Sequence, residues 1–405
     1  MERSTQRIIT TQVGSLPRPI DLRQMWDNRL AGRPAHDPDA FATRVKSAVA
    51  EMVRQQAECG IDVVSDGEQG RIGWTAFLPE RLNGLEDRPI TRATSTGGGT
   101  GSGRERDKGQ FEGYLAEKAR IAAMGEGREY MPTPQAVRAL QVQTINVGPV
   151  SHKGFGPIER EISNLKAALA ETPQVLEAFL PSVGPDNMGY QPGQVEYYPN
   201  EDEYLRACAK AIREEYRSII EAGFVLQIDM PVAKFNTLGM EMADFRRRFG
   251  LLVEVLNETL EGLPEDRIRL HLCYGGWSGP HSEDAELPDL VDMILQINAQ
   301  GFSYDQNPRH EWEWEIWKDT KLPDGKVLIP GCVGHTTEVI EHPELVRQRI
   351  VRLANLVGRE NVIASTDCGL AQSVFGPKIH PDLVWAKFKT LAEGARRATQ
   401  ELWKS

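Results

Sequence analysis

Strand-like apolar runs alternate with helical stretches along most of this 405-residue chain, and this rhythm constrains its fold more than any other feature. Each run ends in polar residues, Gly or Pro, which is typical of parallel strands with functional side chains at their C-terminal ends. Five helical stretches each lead into a strand-like run: 38–59 into IDVVSDGE, 201–222 into FVLQIDMP, 245–260 into IRLHLCYG, 287–300 into GFSYD and 343–356 into NVIAST. The sequence has neither a GxGxxG turn nor a Walker A loop, so it favours an α/β fold of the (β/α)8 TIM-barrel type over a doubly wound sheet.

Two segments depart from this rhythm. Residues 91–109 (TRATSTGGGTGSGRERDKG) are rich in Gly, Ser and Thr with clustered charges, which predicts a flexible insertion on a barrel loop. A second insertion is expected at about 158–204, where an aromatic and Pro-rich end is suited to a lid or a dimer contact. We therefore expect a single barrel domain over residues 1–405 with two loop insertions.

Charge and cysteine content exclude several classes of protein. A net charge of −11 and a pI near 5.4 argue against nucleic acid and anionic membranes as main partners. The five cysteines are odd in number and irregularly spaced, so a disulfide framework is not expected. No run approaches the ~20 apolar residues of a membrane span, and MERSTQRIITTQ has no apolar signal core. We expect a cytoplasmic protein, and the sequence leaves open whether it forms a homo-oligomer.

His271, Cys273 and Cys368 are the strongest chemical signal. The first two end one apolar run (LRLHLCYGG), and Cys368 follows another (ASTDCGLAQ). Side-chain alternation along a strand directs residues 271 and 273 to the same side. One imidazole and two thiolates are three of the four ligands of a tetrahedral zinc site. A site that lacks one strong protein ligand leaves room for a substrate, so the pattern favours a catalytic Zn²⁺.

Five motifs point to a family. TTQVGSLPRP, GIDVVSDGEQ, LQIDMP, HLCYGG and TDCGLAQ occur in the order seen in the catalytic barrel of cobalamin-independent methionine synthase. The chain resembles that superfamily over nearly its whole length. PHSED, NPRHEWEWE and EHPELVRQRI resemble the single-barrel branch that includes the epoxyalkane:coenzyme M transferases. The resemblance implies the same barrel.

The resemblance also implies a zinc-dependent transferase or lyase acting on a metal-bound thiolate. Its reaction would be methyl or alkyl transfer to sulfur, or formation or cleavage of a C–S bond. The implied partners are a small-molecule thiol and an alkyl donor. That donor is a methyltetrahydrofolate in the methionine synthases and an epoxide in the coenzyme M transferases.

The fourth metal ligand is the point where this sequence departs from the family. The methionine synthases use a Glu on the strand between the His-x-Cys pair and the last Cys, whereas this chain reads GFSYDQNPRHEWEWE. The alignment places Asp305 there or, with a shift of one residue, Tyr304. We favour Asp305, a competent zinc ligand that is one methylene shorter than Glu. Glu311, Glu313 and a site with three protein ligands are the alternatives.

The resemblance assigns substrate contacts to three further residues. Asp229 matches the carboxylate that holds the ammonium group of homocysteine, Glu68 matches another acid that faces the substrate, and Ser15 matches a Ser that meets the substrate carboxylate. The methionine synthases have a second acid directly after the first, and here that position is Met230. This loss counts against homocysteine as the thiol.

Proton transfer and anion binding are assigned to His335 and Arg309. His335 (GCVGHTTEV) matches the loop of an essential family His, although a shift of one residue would place Thr336 there. An imidazole pKa near 6.5 suits proton delivery at neutral pH. Arg309, with Arg18 and Arg71 behind it, is the expected anion-binding residue.

Two rival functions remain. One is a metal-independent barrel related to uroporphyrinogen decarboxylase, and the His271, Cys273 and Cys368 set speaks against it. The other is a non-catalytic, zinc-stabilised barrel. A purely structural zinc site would be expected without acids at the strand ends, whereas Glu68 and Asp229 are both present.

Overall fold

The computed structural model describes residues 1–33, 37–89, 110–124, 132–187, 194–231, 239–275, 279–306, 308–371, 373–375 and 379–404. Ten strands lie within these ranges: β1 Ile9–Thr10, β2 Val63–Val64, β3 Leu82–Pro89, β4 Val142–His152, β5 Glu177–Val183, β6 Val225–Met230, β7 Ile268–Leu272, β8 Gly301–Tyr304, β9 Val327–Val333 and β10 Ile363–Thr366.

The helices of the described residues are α1 Ile20–Leu30, α2 Pro38–Glu58, α3 Leu78–Arg81, α4 Glu112–Met124, α5 Pro134–Leu140, α6 Gly156–Ala170, α7 Glu201–Glu221, α8 Met242–Leu260, α9 Val291–Ile294, α10 Pro343–Val357 and α11 Pro381–Leu402. Short 3₁₀ segments occur at Pro185–Asn187, Glu265–Arg267, Leu287–Asp289, Glu311–Lys318 and Arg359–Asn361. None of these helices combines the length and the apolar character that crossing a membrane requires.

Eight of the strands form one parallel sheet in the order β1-β10-β9-β8-β7-β6-β5-β2. A parallel bridge between Thr11 and Val63 brings the two ends of this order together, so the sheet closes into a barrel. The strands are buried on both faces, because helices cover the outside and side chains fill the inside. The predicted (β/α)8 barrel is confirmed.

Local sequence explains where the helices form. Helix α7 begins after Asn200, whose side chain accepts a hydrogen bond of 2.9 Å from the backbone N–H of Glu203. Its first turn is acidic, which suits the positive end of the helix dipole. Tyr204, Cys208, Ile212 and Ile219 recur at helical spacing and form the buried stripe that packs on the barrel.

The barrel interior combines an apolar layer with a buried arginine. Seven residues contributed by six strands form the apolar layer: Ile9, Val63, Phe179, Val225, Val327, Ile329 and Ile363. The Arg269 guanidinium lies 3.5 Å from the centroid of the Phe179 ring. It donates to Gln227 Oε1 (2.9 Å), Thr11 Oγ1 (3.0 Å) and the carbonyl of Gln12 (2.8 Å). Polar side chains are therefore held inside the barrel beneath its C-terminal end.

The excursion from the barrel lies between β2 and β5. Strands β3 and β4 form a two-stranded antiparallel sheet there, and α4 and α5 lie between them in the chain. The insertion predicted at 158–204 is misplaced, because that range contains most of α6 and the whole of β5, which pairs with β2 and β6 in the barrel. The β5 sequence EAFLPSV begins with Glu177 and contains Pro181, so it gives a weak strand signal. The predicted insertion at 91–109 lies outside the described residues.

Candidate active site

His271, Cys273 and Cys368 converge at the C-terminal end of the barrel. His271 belongs to β7, Cys273 directly follows that strand, and Cys368 lies two residues beyond β10. Their ligand atoms all lie within 4.8 Å of one another, and the two Sγ atoms are 3.4 Å apart as free thiols. His271 Nδ1 lies 3.3 Å from Ser303 Oγ, and its buried Nε2 has no hydrogen-bond partner among the described residues. This donor set fits a metal ion that prefers sulfur and nitrogen.

The ionisation of the three side chains is coupled. The hydrogen bond from Cys368 lowers the pKa of Cys273 well below the usual value of a thiol, and the same bond raises the pKa of Cys368. Burial alone would lower the pKa of His271, but the neighbouring Cys273 thiolate outweighs burial and raises it. The backbone N–H of Gly275 also donates to Cys273 Sγ over 3.1 Å. These contacts favour the thiolate form of the buried Cys273, and a buried thiolate favours the binding of a cation beside it.

One cavity joins this group to the residues predicted to bind substrate. Its volume over the described residues is about 60 Å³. Its walls are Val13, Ser15, Glu68, Trp74, Asp229, Met230, Pro231, His271, Cys273, Gly275, Cys368 and Gly369. Three of the four predicted substrate-binding residues and three of the four predicted metal ligands therefore surround a single space.

Asp229 is fixed by the strand register and by the polar interior. In the register of β6 and β7 it stands opposite His271. Gln227 Nε2 donates to Asp229 Oδ1 over 2.8 Å, and Gln227 in turn accepts from Arg269. Burial raises the pKa of Asp229 to about 7, while the nearby imidazole of His271 opposes this rise. Asp229 is thus a carboxyl group at the cavity wall that is ionised above a pH of about 7.

Glu68 adopts a strained backbone conformation. Its φ of 54° lies in the left-handed region that residues other than Gly rarely adopt. Three hydrogen bonds hold it: its N–H donates to Asp66 Oδ1 (2.9 Å), and its carbonyl accepts from Arg18 Nη2 (2.6 Å) and from the backbone N–H of Arg71 (3.0 Å). Its Oε2 atom is buried and has no hydrogen-bond partner among the described residues. That oxygen lies 4.0 Å from Arg18 Nη2, an ion-pair distance that leaves its hydrogen-bonding capacity for a ligand in the cavity.

His335 lies in a second buried group, with Asp305 and Asp367. Asp367 Oδ1 accepts from both the backbone N–H and Nδ1 of His335, each over 2.8 Å. Burial alone would lower the pKa of His335, but the Asp367 carboxylate outweighs burial and raises it to about 8. His335 does not line the cavity, and its Nε2 has no hydrogen-bond partner within the described ranges. Asp367 directly precedes Cys368 in the sequence, so the group of His335, Asp305 and Asp367 adjoins the group of His271, Cys273 and Cys368.

The structure does not place Asp305 within the group of His271 and the two cysteines. Its carboxylate lies near both groups, because its charge contributes to raising the pKa of His271 and of His335. Two alternatives are engaged elsewhere: Glu311 binds Arg349 over 2.7 Å, and Glu313 accepts from Tyr274 and from the backbone of Leu287. The fourth metal ligand stays a prediction.

Arg309 is placed differently from its prediction. Its side chain is exposed on the surface, 3.5 Å from Glu286, and it does not line the cavity. It belongs to the turn 308–310 beyond β8, which carries the side chain away from the strand ends. Arg18 and Arg71 are buried, and each donates its hydrogen bonds to protein groups. Arg309 therefore lies outside this cavity, and its role in anion binding stays a prediction.

Sequence reasoning missed four residues around the site: Trp74, Gln227, Arg269 and Asp367. Gln227 and Arg269 lie two residues before Asp229 and His271 on their strands, so alternation along each strand places them on the same inward face. Asp367 directly precedes Cys368, and Trp74 closely follows Glu68 in the same motif. Alternation along the strands was the signal that could have found Gln227 and Arg269.

The fold and site define a class: a (β/α)8 barrel whose C-terminal strand ends gather an imidazole, two thiols and two carboxyl groups around one cavity. The sequence pattern of the cobalamin-independent synthase catalytic domain matches residues 8–95 and 184–377, and the chain belongs to that family. The resemblance read from the motifs is thereby confirmed. The matched parts carry His271, Cys273, Cys368 and the other cavity residues. The gap between them, residues 96–183, covers much of the excursion between β2 and β5 together with α6 and the whole of β5.

Similar proteins span nearly the whole chain. A methionine synthase of Saccharolobus solfataricus is 24% identical over 398 residues, covering 97% of this chain and 95% of the relative. The uncharacterised protein YxjH of Bacillus subtilis is 22% identical over 389 residues, covering 93% and 91%. The structure of a B12-independent methionine synthase from Shewanella sp. W3-18-1, in complex with selenomethionine, has a TM-score of 0.68 at 20% identity, covering 98% and 99%. The last comparison supports the fold.

Proposed function

We propose that this protein is a zinc-dependent transferase of the methionine synthase type, which moves a methyl group onto the sulfur of an amino thiol. The observation that carries the proposal is the convergence of His271, Cys273 and Cys368 on a cavity that Glu68 and Asp229 also line. Membership of the cobalamin-independent synthase family supports it. So does the similarity to methionine synthases over nearly full length.

The residues present fit zinc. His271, Cys273 and Cys368 would hold it, since two thiol sulfurs lie 3.4 Å apart beside a buried imidazole nitrogen that no described protein group satisfies. Asp305 is our candidate for a fourth ligand. When bound, zinc in such a site lowers the pKa of a substrate thiol and keeps the resulting thiolate nucleophilic.

The charges of the cavity select the thiol. Glu68 and Asp229 are both buried in its wall, and none of its described lining residues is Lys or Arg. A sulfonate thiol such as coenzyme M would face two carboxyl groups, and the nearby cation, Arg18, lies outside the wall and is already paired with Glu68 at 4.0 Å. An ammonium group would be stabilised by both. We infer that the acceptor is an amino thiol of the homocysteine type, held by Glu68 and Asp229 without the second acid that the family has at the position of Met230.

The other side chains divide the remaining work. Ser15 at the cavity wall would meet the carboxylate of the acceptor, and Trp74 would exclude water on one side. Asp367 fixes His335 through Nδ1, so Nε2 is the atom that would deliver or accept a proton. The two rival functions are less well supported, because a metal-independent decarboxylase needs no thiol pair and a purely structural metal site needs no acids beside it.

Cobalt substitution tests the proposal. Co²⁺ held by two thiolates absorbs visible light, and binding of a thiol should change that spectrum. We expect L-homocysteine to change it at concentrations where 2-mercaptoethanesulfonate has no effect. The opposite order would reject an amino thiol and favour an anionic acceptor. A protein that binds neither zinc nor cobalt would reject the function altogether.

A further inference from the structure

Arg18 stands where three loops of the barrel mouth meet. We define the three mouth loops as residues 12–18 after β1, 65–71 after β2 and 367–371 after β10. They carry Ser15, Glu68 and Cys368, respectively. The Arg18 guanidinium is buried beside the cavity but is not part of its wall.

The guanidinium hydrogen-bonds all three mouth loops. Nη1 and Nη2 donate to Ser15 Oγ (3.0 Å), Leu16 O (3.1 Å), Ala371 O (2.8 Å), Glu68 O (2.6 Å) and Arg71 O (3.0 Å). Four of these five acceptors are backbone carbonyls, so the arginine fixes the course of the chain. It also holds the carbonyl of Glu68, the residue with the strained φ of 54°.

The mouth loops touch one another directly as well. The backbone N–H of Leu16 donates to Gly67 O, and that of Ala371 donates to Ser15 O, each over 3.1 Å. Gly369 approaches Ser15 so closely that a Cβ atom at residue 369 would lie 3.0 Å from Ser15 Cβ. A shift of one loop is therefore transmitted to its neighbour, and Arg18 is the side chain common to all three.

We propose that Arg18 is a positioning residue that sets the spacing of Ser15, Glu68 and Cys368 across the cavity. A planar guanidinium presents several donors in a fixed fork, which matches acceptors on separate segments. A lysine at the same place keeps the charge, but its three donors cannot span five acceptors. The loss of a buried donor leaves buried carbonyls without partners, and the loops relax. The effect of Arg18 on turnover rests on the proposed function, whereas its effect on the loops does not.

Lys326 provides the matched control. It is a buried cation that also fastens separate segments, donating to Ile297 O (2.9 Å), Ala299 O (2.7 Å) and Glu265 Oε1 (2.6 Å). It directly precedes β9 and so lies at the opposite end of the barrel. Lys326→Met should weaken the fold without moving the mouth loops.

Hydrogen exchange of the full-length protein is the direct test. In Arg18→Lys the amides of Leu16, Arg71 and Ala371 should all exchange about tenfold faster than in wild type, since each is bonded within or between the mouth loops. In Lys326→Met they should exchange at the wild-type rate. Wild-type rates in Arg18→Lys, or equal acceleration in both variants, would overturn the proposal. This readout requires neither metal nor substrate.

Kinetics give the second readout. A displacement of reacting groups on the order of 1 Å costs about 10²-fold in rate. We expect that loss in kcat/KM for Arg18→Lys and wild-type values for Lys326→Met well below its melting temperature. Equal kinetic constants in the two variants would reduce Arg18 to a structural role. A wild-type protein inactive toward every thiol would overturn the proposed function and leave the exchange result to decide on Arg18.

Gly369→Ala is the second variant for the hydrogen-exchange test if Arg18→Lys does not fold. It forces loop 367–371 away from Ser15 without changing the arginine. Because Arg18 links the mouth loops, the amide of Arg71 in the distant loop should exchange faster together with that of Ala371. Acceleration confined to residues 369–371 would show that the loops are not coupled and would overturn the proposal.

Discussion

Asp229 and His271 stand opposite each other on the neighbouring strands β6 and β7, and both face the same cavity. The imidazole of His271 counteracts the effect of burial on the pKa of Asp229. The carboxyl group proposed to hold the substrate and the imidazole proposed to hold the metal are thus one strand apart. Rigid strand pairing, rather than a loop, fixes the separation of these two functions.

Removal of a thiol or of the imidazole should release the metal. Cys368→Ser and His271→Ala should lose most of the zinc found in wild type, because each removes one donor of the converging group. Cys332→Ser is the control, since Cys332 is also buried but lies outside that group. Metal analysis of proteins purified without chelators measures this. Metal-free wild type, or equal loss from Cys332→Ser, would contradict the assignment.

The fourth ligand can be tested by comparing two acids. Asp305→Ala should weaken zinc binding more than Glu311→Ala, because Glu311 is bound by Arg349 whereas the charge of Asp305 acts on both buried groups. Competition with a chromophoric chelator gives both affinities. If Glu311→Ala is the weaker binder, the ligand lies beyond the turn 308–310. Equal and unchanged affinities would indicate a site with three protein ligands.

Substitution of His335 should impair turnover but not metal binding. His335→Gln keeps a polar side chain but cannot shuttle a proton, so kcat should fall by about 10²- to 10⁴-fold, the usual contribution of a general acid or base. Zinc content and melting temperature should stay near wild type. Steady-state kinetics alongside metal analysis separates the two effects. Unchanged turnover would remove His335 from proton transfer and direct attention to Thr336.

Asp229→Asn should report the charge of the acceptor. The substitution keeps the shape of the side chain and removes its negative charge, so homocysteine should bind the cobalt-substituted protein more weakly. A sulfonate thiol should bind equally well or better. Zinc content should not change, because Asp229 is assigned to the substrate. Weaker binding of both thiols to the same degree would point to a structural role for Asp229.

His310 should make stability depend on pH. Burial alone would lower its pKa, but hydrogen bonds to Asp284 and Glu313 outweigh burial and raise the pKa to about 9. A raised pKa stabilises the fold most at pH below the ordinary value of 6.5, and that stabilisation is lost as the pH rises toward 9. The free energy of unfolding of wild type relative to His310→Asn should therefore fall by on the order of 2–3 kcal/mol over this range.

Urea unfolding of both proteins between pH 6 and pH 9.5 measures this difference. The side-chain ring of Tyr274 stacks on His310 with centroids 3.5 Å apart, so the variant also loses packing at every pH. That loss is constant and does not affect the slope. A difference that is independent of pH would show that His310 is neutral in the folded protein.

The barrel and the convergence of His271, Cys273 and Cys368 could be predicted because both depend on local patterns. Alternation along a strand places His271 and Cys273 on one side, and parallel strands bring their C-terminal ends together. The hydrogen bonds of Arg18 could not be predicted, because a backbone carbonyl such as that of Ala371 leaves no trace in the sequence. The surface position of Arg309 was not predicted, because the direction of a turn after a strand depends on packing. Strand β5 was missed because Pro181 weakens its pattern.

The arginine inside the barrel also limits how this enzyme could be altered. Replacing Arg269 with a large apolar residue would fill the volume but leave Gln227 and Thr11 with fewer partners, and Gln227 is the residue that donates to Asp229. A more hydrophobic interior would therefore change the acid at the cavity wall together with the core beneath it. A substitution at Arg269 would therefore affect both the stability of the barrel and the binding of substrate. Engineering either property would require Arg269, Gln227 and Asp229 to be varied together.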